Sequence, residues 1–170
     1  MKNKETQKLL SDKIMAGVIL GWISNVPKLI LDTLMYKLGF SSFFCWNVTG
    51  GIILSKTWLP SINGRIIGAF MDFFFAGVLG VAVIYFLYHF GENRYLIIKG
   101  LSFAIFVWVF LCIMLIDQRI SMYSRLYDPG HAYQSFIVHT LWGVVMSYLV
   151  VKYAKSTVIR KTEKQLDSQS

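Results

Sequence analysis

Charged residues are scarce in this sequence. Only 15% of its 170 residues are charged, while 55% are hydrophobic and 16% are aromatic. An ordinary soluble domain carries about 25% charged residues. The shortage of charge argues against such a domain and indicates a protein whose apolar surface faces lipid.

Cysteine is almost as rare, with Cys45 and Cys112 as the two thiols. There is no CxxC, no HExxH and no Cys/His cluster at metal-ligand spacing. The sequence therefore predicts no metal, no cofactor and no catalytic residues. Reduced thiols are favoured, although a disulfide between the two is geometrically conceivable. An intramembrane enzyme using Asp72 and His139 as acid and base is the least favoured hypothesis, since no nucleophile accompanies them.

Basic residues are abundant, giving a net charge of +8, but they lie near the two ends of the chain. They form no stripe interleaved with aromatic residues, which excludes a nucleic-acid partner. Flanking lysine and arginine mark the cytoplasmic side of a membrane protein and attract anionic headgroups. We therefore predict a bacterial cytoplasmic-membrane protein with cytoplasmic N- and C-termini. The basic residues are Lys2, Lys4, Lys8, Lys13, Lys152, Lys155, Arg160, Lys161 and Lys164.

Four apolar runs are long enough to cross a bilayer as helices, which takes about 20 residues. They cover residues 14–36, 66–88, 97–116 and 132–151. No small-x-small cleavage site follows the first run, so we expect that run to be retained. The predicted fold is an all-α, four-helix transmembrane bundle in residues 14–153, with a cytoplasmic lead at 1–13 and a polar cytoplasmic tail at 154–170.

The segment Phe40 to Gly64 is aromatic, but its apolar pieces are too short to cross. Polar residues, glycines and Pro60 interrupt them. We predict an interfacial or re-entrant segment whose aromatic rings lie at headgroup depth.

Three of the predicted spans carry small and polar residues at helical spacing, which places them on one face of each helix. Small residues on such a face let transmembrane helices approach closely. The three stripes are Gly17, Gly21, Asn25, Lys28 and Asp32; Gly68, Asp72, Ala76 and Gly80; and Ser135, His139, Gly143 and Ser147. We assign Gly17, Gly21, Gly68, Gly80 and Gly143 to helix packing.

The ionisable residues of these stripes fall at similar depths. At about 1.5 Å of rise per residue, all four lie about 6 to 12 Å inside the outer ends of their spans. An unpaired charge at that depth is costly, so we predict a shared polar cluster. Its members are Asn25, Lys28, Asp32, Asp72 and His139. Lys28 and Asp32 could also pair along their own helix or extend toward headgroups, and His139 could be a neutral bridge between helices.

Four stretches in this order carry a resemblance. They are the glycine-containing first span leading to NVPKLILD (Asn25–Asp32), the aromatic segment up to Pro60, YLIIKG (Tyr95–Gly100) and IVHTLWGVVMSYL (Ile137–Leu149). The chain resembles a family of small four-span membrane proteins of unassigned function from low-GC Gram-positive bacteria. The resemblance implies the four-span fold and brings no catalytic or binding residues with it.

Two hypotheses of function follow. In the first, the polar cluster lines an intramembrane pocket for a small solute, an ion or a proton, with Pro27 loosening the helix beside it. In the second, the chain is a structural or regulatory subunit that docks a partner, and the polar stripes serve packing alone. A homo-oligomer or another membrane protein stays open as a partner.

Overall fold

The computed structural model describes residues 4–41, 44–90, 95–117 and 129–159, with backbone alone at 4–7 and 112–117. These residues are almost entirely helical and contain no strand. Cys112, for which the sequence favours a reduced thiol over a disulfide with Cys45, and most of the basic tail lie outside the described side chains. The helices are α1 (Lys4–Ser11), α2 (Lys13–Lys37), α3 (Cys45–Gly50), α4 (Ile62–Phe90), α5 (Leu96–Asp117), α6 (Pro129–Tyr153) and α7 (Lys155–Val158).

Three helices, α2, α4 and α6, are long and apolar enough to cross a membrane. At about 1.5 Å per residue, each is longer than the bilayer's hydrocarbon core of about 30 Å. The described side chains of α5, from Leu96 to Leu111, are mostly apolar as well. Each of the four long helices begins and ends one to four residues outside its predicted limits.

Charged and amide side chains away from the ends of the long helices lie inside the bundle, while many large apolar residues lie on its outer surface. Asn25, Lys28 and Asp72 are almost fully buried, whereas Ile30 and Phe70 are 66% and 79% exposed. A soluble protein has the opposite arrangement. The chain is therefore built for an apolar surrounding, as the composition predicts.

Both ends of the described chain meet at one end of the bundle. The hydroxyl of Thr157 in α7 donates to the backbone carbonyl of Leu10 in α1 at 2.6 Å. Close by, the Lys13 ammonium lies 3.6 Å from the centre of the Tyr88 ring, which brings the start of α2 to the end of α4. Leu87 and Met146 are fully buried in an apolar core shared by α2, α4, α5, α6 and α7.

The connection between α2 and α4 forms the short helix α3 and then a series of turns. α3 packs against α4, where the Thr49 hydroxyl donates to the Gly68 carbonyl at 2.9 Å. Farther along, Leu59 is buried and Trp58 is exposed. The depth of this connection in a bilayer, interfacial or re-entrant, stays a prediction.

α2 and α4 pack at backbone distance over their glycines. Gly80 faces the carbonyl oxygen of Gly17, and Gly21 faces that of Ala76, each so closely that an added Cβ would overlap it. α2 continues as helix through Pro27, without a break. Close backbone contact of this kind gives transmembrane helices dispersion contacts that larger residues would prevent.

We expect Gly80→Ala to lower the free energy of unfolding by about 1 to 3 kcal/mol, because the new methyl group forces α2 and α4 apart. Val78→Ile is the matched control, since it also adds one carbon to α4 but on its exposed face. Thermal unfolding in detergent or nanodiscs measures both. Equal melting temperatures for the two variants would contradict the close packing.

Candidate binding cavity

An ion pair joins the polar stripes of α2 and α4. The Lys28 ammonium lies 2.6 Å from Oδ1 of Asp72, and both side chains are buried. The Asn25 amide nitrogen donates to the other carboxylate oxygen, Oδ2, at 2.7 Å. One carboxylate from α4 is thereby held by two donors from successive turns of α2.

Asp32, one turn beyond Lys28 on α2, is held by different elements. Its Oδ1 accepts from the Gln134 side-chain nitrogen in α6 at 2.8 Å. Its Oδ2 accepts from the backbone N–H of Cys45 in α3 at 3.2 Å. Asp32 therefore ties α2 to both α3 and α6.

The possible pairing of Lys28 with Asp32 along α2 is not what the structure shows. Among the described residues, the ion pair of Lys28 is with Asp72. The carboxylate of Asp32 instead receives neutral N–H donors. The packing of α4 against α2 places the Asp72 carboxylate next to the Lys28 ammonium. Lys28 therefore pairs across the helix interface and not along its own helix.

The hydrogen bonds around each carboxylate are those of an ionised group. Both oxygens of Asp72 and both oxygens of Asp32 accept from N–H groups. A protonated carboxyl would have an O–H that needs an acceptor, and none of the described residues provides one for Asp32 or Asp72. The geometry is therefore that of two carboxylates beside one ammonium. Burial raises the pKa of the adjacent Cys45 thiol well above its ordinary value, so that thiol stays uncharged.

His139 lies at the same level on α6. Its Nδ1 is 2.7 Å from the backbone carbonyl of Ser135, one turn earlier, so this nitrogen carries hydrogen and donates. The Ser135 hydroxyl also accepts from the indole nitrogen of Trp108 in α5 at 2.9 Å. Nε2 of His139 has no hydrogen-bond partner within the described part of the chain.

These groups line a cavity of about 150 Å³. Asn25, Lys28, Asp32, Asp72 and His139 all contribute to its wall. Most of the remaining wall is apolar or aromatic, including Phe75, Ala76, Leu79, Trp108, Val138 and Trp142. A dry cavity of about this volume in another protein admits benzene, so the space suits a small organic molecule or several waters.

One acceptor at this cavity has no partner. Asn25 is 1% exposed, and its Oδ1 receives no hydrogen bond from the described residues. Its orientation follows from chemistry, because the amide nitrogen must face the Asp72 carboxylate. A buried acceptor without a donor costs about 1 to 3 kcal/mol. A bound donor would remove that cost.

All five residues of the predicted cluster line one cavity. Asp72 is in direct contact with Asn25 and Lys28. Asp32 and His139 lie elsewhere on the same wall. The structure also places His131, Cys45 and Gln134 among the polar groups, which the spacing analysis missed. His131 lines the cavity, and its Nδ1 lies 2.9 Å from the Ser41 hydroxyl. Gln134 was detectable as a polar side chain near the start of an apolar run.

No protein-family model, no curated protein and no solved structure matches this chain. The resemblance drawn from the sequence therefore stays a prediction, and the site has to be interpreted from its own geometry.

We expect Asp72→Asn to lower the free energy of unfolding by about 3 kcal/mol, since it leaves the Lys28 ammonium buried without its counter-charge. The double variant Lys28→Met/Asp72→Leu should recover most of that loss, because it removes both charges and keeps apolar volume. The two substitutions are therefore non-additive in unfolding measurements.

Asp12→Asn is the control for this cycle, because it makes the same chemical change at the exposed N-cap of α2 and retains a capping acceptor. It should unfold like the wild type. A double variant whose loss of stability equals the summed losses of the single variants Lys28→Met and Asp72→Leu would show that Lys28 and Asp72 act independently.

Proposed function

We propose that the chain is a multi-pass protein of the bacterial cytoplasmic membrane with four spans. The contact between α1 and α7 supports this, since ends that meet on one side of a bundle require an even number of crossings. α2, α4 and α6 supply three. α5, with 22 residues, is about 33 Å long and supplies the fourth.

Single cysteines test this topology in a Cys45→Ser/Cys112→Ser background. With four spans, a membrane-impermeant maleimide added to intact cells should label Ser55→Cys and Ser124→Cys, whereas Ser156→Cys should react only after permeabilisation. Residue 124 lies in the α5–α6 connection, outside the described residues. If α5 does not cross, the accessibilities of Ser124→Cys and Ser156→Cys are exchanged.

We further propose that the bundle binds a small solute in the cavity between its helices. The unpartnered acceptor of Asn25, buried at the wall of a cavity that also contains Lys28, Asp32 and Asp72, is the observation that carries this proposal. Polar groups at a mostly apolar concave surface are the usual form of a small-molecule site.

A purely structural role accounts for less of the geometry. The Lys28–Asp72 pair and the glycines of α2 and α4 would fasten a scaffold or a regulatory subunit equally well. A contact that only holds helices together needs no space beside the ion pair, however. The cavity therefore favours binding over packing alone.

Thermal unfolding with a panel of small solutes and ions tests the binding proposal. A solute that binds the folded form alone raises the melting temperature, by a free energy of about 2.7 kcal/mol at a hundredfold excess over Kd. We expect at least one solute to stabilise the wild type and to have no effect on Val138→Phe. Val138 lines the cavity and is buried, so the larger ring occupies the space.

Val138→Phe also distinguishes solute binding from a purely structural role. If no solute acts on the wild type and Val138→Phe melts at a higher temperature, the cavity is a packing defect and the chain is a scaffold. Val144→Phe on the exposed face of α6 is the control for adding a ring to this helix. It should leave any solute-induced shift intact.

A further inference from the structure

The charges at the cavity do not balance. Asp32 and Asp72 both have the hydrogen bonds of ionised carboxylates, and Lys28 supplies one ammonium against them. His131 and His139 also line the cavity, and they add positive charge only by taking up protons. With neutral imidazoles, these residues leave one negative charge at the cavity in an apolar surrounding.

The unpartnered acceptor of Asn25 also indicates which kind of ligand would bind. Oδ1 of Asn25 is an acceptor, so it is satisfied by a ligand that carries N–H or O–H. An anion would face two carboxylates, while the one cation, Lys28, already has Asp72 at 2.6 Å. A cation with N–H donors meets both requirements.

The rest of the wall indicates what the cation carries. Phe75, Trp108 and Trp142 present aromatic rings to the cavity, together with aliphatic side chains. Aromatic faces attract organic cations and also accept apolar groups. A small hydrated metal ion would leave this part of the wall without a partner, and the described residues contain no group of three metal ligands.

We propose that the ligand is a monovalent organic ammonium with a compact apolar group. Its charge is balanced by the excess carboxylate, its N–H donates to Asn25, and its apolar group packs on the aromatic wall. This assignment rests on the proposed binding function and adds the chemical class of the ligand.

Three probes with the same ring and different charge test the ligand class: benzylamine, benzyl alcohol and benzoate. Binding to purified full-length protein is measured by calorimetry at about pH 7.5, above the ordinary histidine pKa of about 6.5 and well below the pKa of a benzylic amine, so that benzylamine carries its charge. We expect benzylamine to bind at least about tenfold more tightly than either other probe, since one opposite charge in a protein interior is worth more than that factor. Val138→Phe should abolish binding and so excludes uptake by the detergent micelle.

Asp32→Asn measures how much the excess negative charge at the cavity contributes to benzylamine binding. The substitution keeps an oxygen that can accept from Gln134 or Cys45 but removes the excess negative charge. It should weaken benzylamine about tenfold or more while leaving benzyl alcohol unchanged, and the neutral probe thereby shows that the cavity is intact.

The outcomes separate the two proposals. Equal or tighter binding of benzyl alcohol or benzoate would overturn the ammonium assignment and leave solute binding in place. The same holds if no probe binds but a solute without an ammonium group stabilises the wild type and not Val138→Phe. If neither the probes nor the solute panel acts, both proposals are wrong.

Discussion

The ion pair between Lys28 and Asp72 is the contact on which the arrangement of this bundle depends. In a medium without water, neither charge can be left alone, so each must lie at the depth of the other. The two residues are 44 positions apart, and their contact fixes the relative height of α2 and α4. Once that height is set, Gly17 lies opposite Gly80 and the two backbones can touch. A shift by one turn would separate the charges and place larger residues between the helices.

Two further helices, α3 and α6, are held at the same level by a second carboxylate. Asp32 receives hydrogen bonds from Gln134 in α6 and from Cys45 in α3. Together with the contacts of Asp72 in α4, polar contacts therefore position three neighbours of α2. The opposite half of the bundle is sealed by apolar residues such as Leu87 and Met146. The cavity lies between the polar groups of α2 and α4 and the bulky rings that α5 and α6 contribute. The contacts that set the height of the helices therefore also create the cavity.

Residue spacing predicts the buried faces of α2 and α4 because intervals of three and four follow the helical repeat. Every member of those two stripes is buried in the structure. The same rule is less accurate for α6, where the buried face runs through His131, Gln134 and Val138 while His139 is only partly buried. Intervals of three and four residues identify side chains that share one face of a helix. When small and apolar residues alternate, as in α6, more than one face of the helix fits these intervals. Spacing also does not identify the partner of a charge, since Asp72 reaches Lys28 from another helix.

The charges of the polar cluster bear on whether it is a binding site or a set of contacts that only hold the helices together. Burying an ion pair contributes little stability compared with apolar residues of the same volume, although the Lys28–Asp72 pair also sets the relative height of α2 and α4. Asp32 is a second carboxylate, whose charge no described cation contacts and which only neutral N–H groups stabilise. Those donors reduce the cost of the negative charge without cancelling it. An acceptor without a partner among the described residues and a carboxylate without a counter-charge lie at one cavity, and a cation with N–H groups would satisfy both, which is the ground for the binding proposal.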